Sequence, residues 1–176
     1  MATTESSNHY NTQYDSKRRF ISYWHQIDEI MKCSPKSILE IGVGNGFLSK
    51  YLRDHNIATT TCDLDPALCP DYTAPISKLP FGSNVFDVVV AFQVLEHSPY
   101  EEFLTSIHEM KRVTKDAIIL SIPDARRTIR LEFPLPKYGK IKKLFTLPQY
   151  THQTHALTPE GHFWEIGKKG YPFNRI

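Results

Sequence analysis

The sequence predicts an α/β protein with a doubly wound, mostly parallel sheet of about five strands and helices on both faces. Two observations predict this class. Apolar runs typical of buried strands alternate with segments in which apolar residues recur at helical spacing. Glycines or polar residues also follow four of the predicted strands, and the carboxyl ends of parallel strands meet at one edge of a sheet. The expected ligand site therefore lies along that edge.

Residues 1–16 are rich in Ser, Thr and Asn and are expected to form a flexible N-terminal segment. A helix is predicted to follow, with one apolar face made by Phe20, Trp24, Ile27 and Met31. We expect this face to cover the sheet. An alternative interpretation is that Tyr10 and Tyr14 form a flap over the ligand.

The stretch Ser37–Leu52 is predicted to be a strand, a glycine turn and a helix without a gap. Three glycines within five residues, Gly42, Gly44 and Gly46, indicate unusual backbone torsions or close approach to a ligand. Their spacing is GxGxG, whereas the dinucleotide fingerprint is GxGxxG. The one-residue difference points away from NAD.

A second strand is predicted over Thr59–Cys62, and Asp63 follows it about 20 residues after the glycines, where nucleoside-binding folds place an acid for the ribose hydroxyls. Asp65, just before a proline, is interpreted as part of a solvated turn.

The remaining core elements follow from the same patterns. We predict a short edge strand over Ala74–Ser77, a strand buried on both faces over Phe86–Phe92, a helix over Tyr100–Val113 and another buried strand over Ala117–Ile122.

Residues 124–176 have no convincing strand pattern and begin with a basic segment. The simplest interpretation of the charge is a solvated face; the functional one is an anionic acceptor, such as a phosphorylated metabolite, or RNA.

Composition is that of a soluble globular protein, with 40% hydrophobic and 23% charged residues and a formal net charge of +2. The length of 176 residues fits one domain. The three cysteines are expected to be free thiols, and no apolar run is long enough for a membrane span. A cytoplasmic location is the default expectation.

The ordered motifs LEIGVGNG, TTTCDLDPAL and KLPFGSNVFDVVVAFQVLEH resemble the class I S-adenosylmethionine-dependent methyltransferases, in particular type 11-like domains, over residues 37–123. The resemblance implies a Rossmann-like fold and S-adenosylmethionine as cofactor, with S-adenosylhomocysteine as product. It implies in-line methyl transfer to an oxygen or nitrogen of a small or medium acceptor. The family's sheet usually continues beyond the fifth strand, so this chain resembles a member that lacks the C-terminal sheet elements.

The resemblance also implies a cofactor pose. Backbone amides of the glycine turn would receive the methionine part, with Glu40 ordering the turn, and Asp63 would hold the ribose. Pro75 stands where similar proteins often carry an acid for the adenine amino group, so that contact moves to Ser77 or a nearby carbonyl. The full expected cofactor set is Glu40, Gly42, Gly44, Asn45, Gly46, Asp63, Leu64, Ile76, Ser77, Phe92 and Gln93.

Glu96 and His97, in the loop that follows the fourth strand, are the catalytic candidates. His97 could act as general base because imidazole titrates near neutral pH, and Glu96 could orient it. The alternative is that both residues only cap the loop before the next helix.

No metal is expected. His152 and His155 form an HxxH pair close to His162, but no acid or cysteine with ligand spacing accompanies them.

We therefore expect three segments: residues 1–16, a cofactor-binding core at 17–123, and a basic C-terminal segment at 124–176. A nicotinamide oxidoreductase is a rival that the glycine spacing disfavours. A non-enzyme alternative is a partner subunit or fragment that binds the cofactor without turnover. A bare sheet edge would suit a homodimer or such a partner.

Overall fold

The computed structural model describes residues 14–125, 128–135, 139–146, 161–168 and 171, with the backbone alone for 128–135 and 139–146. The chain divides into two compact units. The first comprises Met1–Leu95 and Glu101–Ser121, and the second Glu96–Tyr100 and Ile122–Ile176.

The first unit is built on a five-stranded sheet in the order β3-β2-β1-β4-β5, and all four pairings are parallel. Its elements are α1 (Lys17–Lys32), β1 (Ser37–Ile41), α2 (Phe47–Asp54), β2 (Ala58–Asp63), β3 (Tyr72–Thr73), β4 (Phe86–Phe92), α3 (Phe103–Val113) and β5 (Thr114–Ser121). The predicted fold class, an α/β protein with a parallel, Rossmann-like sheet, is confirmed. Because β1 lies between β2 and β4, the strand order reverses at the carboxyl end of β1.

Both faces of the central strands are buried, which explains their continuous apolar sequences. Ile38 of β1 and Val88 of β4 lie in one core cluster with Ile30 of α1 and Leu52 of α2. Side chains alternate along a strand, so Leu39 points to the opposite face, where it is also fully buried.

The buried face of α1 differs from the predicted one. The helix buries Tyr23, Gln26 and Ile30, whereas Trp24 is 62% exposed. Contacts with other elements explain which face is buried. Ile30 packs in the core cluster, and the Tyr23 ring stacks on Phe47 of α2 at a centroid distance of 4.4 Å. The predicted stripe instead lines an apolar groove of about 380 Å³ with other residues of α1 and α2.

The predicted edge strand at Ala74–Ser77 is wrong in position. The edge strand is β3, where Tyr72 and Thr73 pair with the last two residues of β2. The side chain of Asp71 fixes this register, because its Oδ2 accepts hydrogen bonds from the backbone N and the hydroxyl of Thr61, both at 2.8 Å.

A clamp on α3 holds the turn that precedes β4. The Arg112 guanidinium donates to the carbonyls of Leu79 (3.1 Å) and Phe81 (2.7 Å) and forms an ion pair with Glu109. Glu109 Oε2 also accepts from the backbone N of Leu79 at 2.9 Å. The hydrogen bond from Arg112 lowers the pKa of Glu109 to about 2.

The second unit contains an antiparallel pair of strands that the sequence did not predict: β6 (Thr128–Leu135) pairs with β7 (Gly139–Thr146) in a separate two-stranded sheet. The expectation that residues 124–176 have no strand pattern is therefore wrong. Apolar residues stand at every second position of β6 from Ile129 to Leu135, whereas in β7 the adjacent Lys142 and Lys143 interrupt the period of two.

The expectation of free thiols is confirmed for all three cysteines. Among the described residues, no helix combines the length and apolarity that a membrane span requires.

Candidate functional site

The predicted glycine turn lies at the carboxyl end of β1, where the strand order reverses. Gly42, Gly44 and Gly46 all have positive φ, at 81°, 56° and 73°. A Cβ on Gly42 would lie 2.3 Å from Cγ2 of Val94, so this glycine is required by packing. A Cβ on Gly46 would meet nothing within 4 Å, so the turn has free space at its helical end.

Asn45 fixes the turn to the segment before it. Its Oδ1 accepts from the Tyr23 hydroxyl and from the backbone N of Phe47, both at 3.1 Å. Its Nδ2 donates to Asp15 Oδ1 at 2.9 Å. Burial raises the pKa of Tyr23 to about 12, so this hydroxyl remains a donor at neutral pH. Sequence patterns gave no signal for the roles of Tyr23 and Asp15, because the contacts join distant positions.

Asp63 connects β2 to the glycine turn. Its Oδ2 accepts from the backbone N of Val43 at 2.8 Å, and its Oδ1 accepts from the backbone N of Asp65 at 2.9 Å. A carboxylate has about four acceptor positions, so each oxygen keeps one for a further donor. Asp65 itself caps a short 3-10 turn through the backbone N of Ala67, as expected for a turn residue.

Glu40 is buried beneath the turn, with 4% of its surface exposed. Its Oε2 has no hydrogen-bond partner among the described residues. Burial raises the pKa of Glu40 to about 8. A buried polar atom without a hydrogen-bond partner is uncommon in a folded protein, so Oε2 of Glu40 remains available for a further hydrogen bond.

The residues expected around the adenine lie at the ends of β2 and β3. Leu64 follows Asp63 and is 70% exposed, whereas Ile76 is 8% exposed and Ser77 is half-buried. An exposed leucine next to the ribose candidate suits a flat aromatic ligand.

Phe92 ends β4, and Gln93 leaves the strand with a strained φ of 59°. Two hydrogen bonds hold Gln93 to Ser121 at the end of β5: backbone N to carbonyl O at 3.0 Å and side-chain Nε2 to Oγ at 3.3 Å.

Tyr14 is half-buried, and the Arg19 guanidinium lies 4.2 Å from the centre of its ring. Tyr10, the other residue of the flap hypothesis, lies outside the described residues.

The second unit brings the catalytic candidates next to a distant histidine. Glu96 is fully buried, and neither of its carboxylate oxygens has a hydrogen-bond partner in the described part of the chain. Burial raises the pKa of Glu96 to about 7. The ring of exposed His97 packs edge-to-face on that of His162, with centroids 4.9 Å apart. His152 and His155 lie outside the described residues.

The segment around His162 is held by Trp164, which is 1% exposed and donates from Nε1 to the carbonyl of Ser98 at 3.1 Å. The backbone N of Phe163 donates to the carbonyl of Glu96 at 2.8 Å. No sequence pattern predicted that His162 packs against His97 and lies close to Glu96.

Comparison with known proteins identifies the domain. Residues 39–121 match a protein-family profile described as a methyltransferase domain. Over these residues the chain is similar to methyltransferase domains, and its fold is the Rossmann-like fold of the class I S-adenosylmethionine-dependent methyltransferases. The resemblance seen in the sequence motifs is thereby confirmed. No match was found among curated protein sequences.

Two solved structures share the fold. The PH0226 protein from Pyrococcus horikoshii OT3 matches with a TM-score of 0.56 and 16% identity, covering 80% of this chain and 79% of that chain. S-adenosylmethionine-bound CalS10, an amino pentose methyltransferase from Micromonospora echinaspora, matches with a TM-score of 0.52 and 12% identity, covering 78% and 81%. This chain spans less of a third protein, the glycopeptide N-methyltransferase MtfA complexed with S-adenosylhomocysteine: 62% of that chain and 68% of this one, at 13% identity and a TM-score of 0.48.

Proposed function

We propose that the first unit binds S-adenosylmethionine and that the protein transfers its methyl group to an oxygen or nitrogen of a small or medium acceptor. The observation that carries the proposal is the bracing of the glycine turn by Asp63, whose Oδ2 accepts from Val43 N at 2.8 Å. The same carboxylate keeps one acceptor position on each oxygen, which suits the two hydroxyls of a ribose.

The other expected cofactor residues fit this assignment. The unpartnered Oε2 of Glu40 lies beneath a turn that has free space at Gly46, where the methionine part would bind. Leu64 and Ile76 would contact the adenine, with Ser77 or a nearby carbonyl accepting from its amino group. Phe92 and Gln93 would lie beside the sulfonium.

When bound, S-adenosylmethionine supplies a methyl group already activated by the positive sulfur. The protein's main contribution is then to position the acceptor in line, and effective molarity can supply much of the rate. The assignment of His97 as general base stays a prediction. Glu96 was expected to orient His97, but no hydrogen bond joins them, since neither Glu96 oxygen has a hydrogen-bond partner in the described structure.

The acceptor is proposed to be anionic because the segment after Pro123 carries Arg126, Arg127, Arg130, Lys137, Lys140, Lys142 and Lys143. A phosphorylated metabolite would satisfy this charge. RNA is the alternative acceptor to include in an activity panel, and its binding would weaken steeply with added salt.

Calorimetric titration of the purified protein with S-adenosylmethionine and S-adenosylhomocysteine tests the proposal, with NAD as the control ligand. We expect both sulfur compounds to bind in the micromolar range and NAD not to bind. A folded protein that binds neither would contradict the proposed function. Binding without methyl transfer to any member of a broad acceptor panel would favour the non-catalytic partner subunit instead.

A further inference from the structure

The second unit gathers three side chains that can act as metal ligands. Glu96 and His97 lie in the 3-10 turn Leu95–His97, and His162 comes from a segment more than 60 residues later. One ligand atom from each of the three lies within 4.8 Å of the others. Two imidazole nitrogens and one carboxylate oxygen are thus close enough to bind one ion.

The burial of Glu96 is the strongest indication that these side chains bind a cation. The side chain has 0% of its surface exposed, and both carboxylate oxygens lack a hydrogen-bond partner among the described residues. A charged carboxylate in that environment is unfavourable unless a cation or a hydrogen-bond donor compensates it. A bound cation would supply that compensation.

His162 is oriented as metal-binding histidines usually are. Its Nδ1 lies 2.8 Å from Oε1 of Glu165, and Lys168 Nζ lies 3.1 Å from the other oxygen of the same carboxylate. In metal sites such a carboxylate contact fixes the tautomer and the ring orientation, and leaves the other ring nitrogen, here Nε2, available as a ligand.

The backbone brings the two segments together independently of any metal. Two hydrogen bonds join them: Phe163 N donates to the carbonyl of Glu96, and Trp164 Nε1 donates to the carbonyl of Ser98. Gly161, with φ of 78°, precedes His162, and a Cβ there would lie 4.0 Å from Nδ1 of His97. The ligand geometry is therefore built by the fold itself.

We propose that Glu96, His97 and His162 bind a divalent transition metal ion, with Zn²⁺ as the best match. Two imidazoles and one carboxylate form a known Zn²⁺ donor set that leaves a fourth position for water or another ligand. Mg²⁺ and Ca²⁺ prefer oxygen ligands and higher coordination numbers, so they fit less well. This site differs from the HxxH pair considered from the sequence and does not depend on methyl transfer.

The full chain, stripped of metal with a chelator, is titrated with Zn²⁺ by calorimetry and with Co²⁺ by visible absorption, using Mg²⁺ as the control ion. We expect one Zn²⁺ per chain, Co²⁺ bands of a low-coordinate site, and no saturable Mg²⁺ binding. A folded protein without Zn²⁺ binding would overturn the proposal, whatever the outcome of the S-adenosylmethionine titration.

Variants identify the ligands. Glu96→Gln and His162→Gln should each abolish high-affinity Zn²⁺ binding, and Glu165→Gln should weaken it by about 10- to 100-fold, as expected for a residue that orients a ligand. If a ligand variant fails to fold, Glu165→Gln still tests the site, because it changes the residue that orients His162 and leaves all three ligands in place. His108→Gln, at an exposed position of α3, is the matched control and should bind as the parent does.

A double variant, His152→Gln with His155→Gln, separates this site from the HxxH pair. Unchanged Zn²⁺ binding in the double variant supports the proposal. Loss of binding there, together with normal binding in Glu96→Gln, would overturn it. The same titration also tests the prediction that His97 is a general base. An imidazole nitrogen that binds a metal cannot take a proton from the molecule to be methylated.

Discussion

Replacing Asp63 with alanine is the most direct test of the cofactor site. Each oxygen of this carboxylate already accepts one backbone hydrogen bond, from Val43 N and from Asp65 N, and keeps one acceptor position, which we propose a ribose hydroxyl occupies. Hydrogen bonds to a charged acceptor contribute about 1.5 to 3 kcal/mol, so Asp63→Ala should weaken S-adenosylhomocysteine binding by about 10- to 150-fold.

The loss of two backbone bonds also loosens the glycine turn, and the assay must separate this effect from the loss of ribose contacts. A double-mutant cycle achieves this with calorimetric titrations of parent and variant against S-adenosylhomocysteine and its 2′-deoxy analogue. If Asp63 binds the ribose, removing the hydroxyl weakens binding to the parent but hardly changes binding to Asp63→Ala. A purely structural role predicts the same loss in both proteins.

Asp65→Ala is the matched control, because Asp65 is a neighbouring carboxylate whose Oδ1 only caps a short turn through Ala67 N. It should retain most of the affinity. An unchanged dissociation constant in a folded Asp63→Ala protein, shown by circular dichroism, would refute the ribose assignment.

Three further predictions concern stability, measured by urea denaturation. Arg112→Ala should lower the free energy of unfolding measurably, because two carbonyls and Glu109 lose a charged donor. The pKa of Glu109 is about 2 in the folded state, below its unfolded value. The ionised carboxylate therefore stabilises the fold above about pH 4.3, and this stabilisation disappears as the pH falls toward 2. In Arg112→Ala the free energy of unfolding should depend less on pH over this range. Gly42→Ala should destabilise strongly through the Cβ position 2.3 Å from Val94 Cγ2. Trp164→Ala should cost about 3 to 5 kcal/mol in the second unit, since the ring is 1% exposed.

Each of these has a control. Lys111→Ala, at an exposed position beside Arg112, should change the free energy of unfolding by less than about 0.5 kcal/mol. Adding Val94→Ala to Gly42→Ala removes the clashing methyl and should recover part of the loss; no recovery would mean that the positive φ, and not the clash, dominates. Trp24→Ala, at a site 62% exposed, should cost much less than Trp164→Ala, and equal costs would contradict the burial argument.

The sheet and the cofactor segment could be predicted because their signals are local. A strand buried on both faces needs a continuous apolar run, and a turn with three positive φ values needs glycines, so β1, β4 and the turn Gly42–Gly46 are visible in short windows of sequence. The position of Asp63 follows from the length of one strand–helix–strand unit.

The errors come from contacts between distant positions. Apolar residues occupy two adjacent stripes of helix α1, so the sequence of the helix does not show which stripe is buried. Tyr23 is buried because it contacts Phe47 and Asn45, whereas Trp24 is exposed. The edge strand β3 starts earlier than predicted because Asp71 bonds Thr61, a contact between residues ten positions apart.

Buried side-chain atoms without partners point to both proposed sites. Among the described residues they are Glu40 Oε2, both Glu96 oxygens, Ser106 Oγ and Thr114 Oγ1. An unpartnered hydroxyl costs little compared with a carboxyl, whose pKa burial raises to about 8 in Glu40 and to about 7 in Glu96. Both glutamates therefore fit positions at which a bound ligand compensates the burial of the carboxyl group. For Glu40 this ligand is proposed to be the cofactor, and for Glu96 a metal ion.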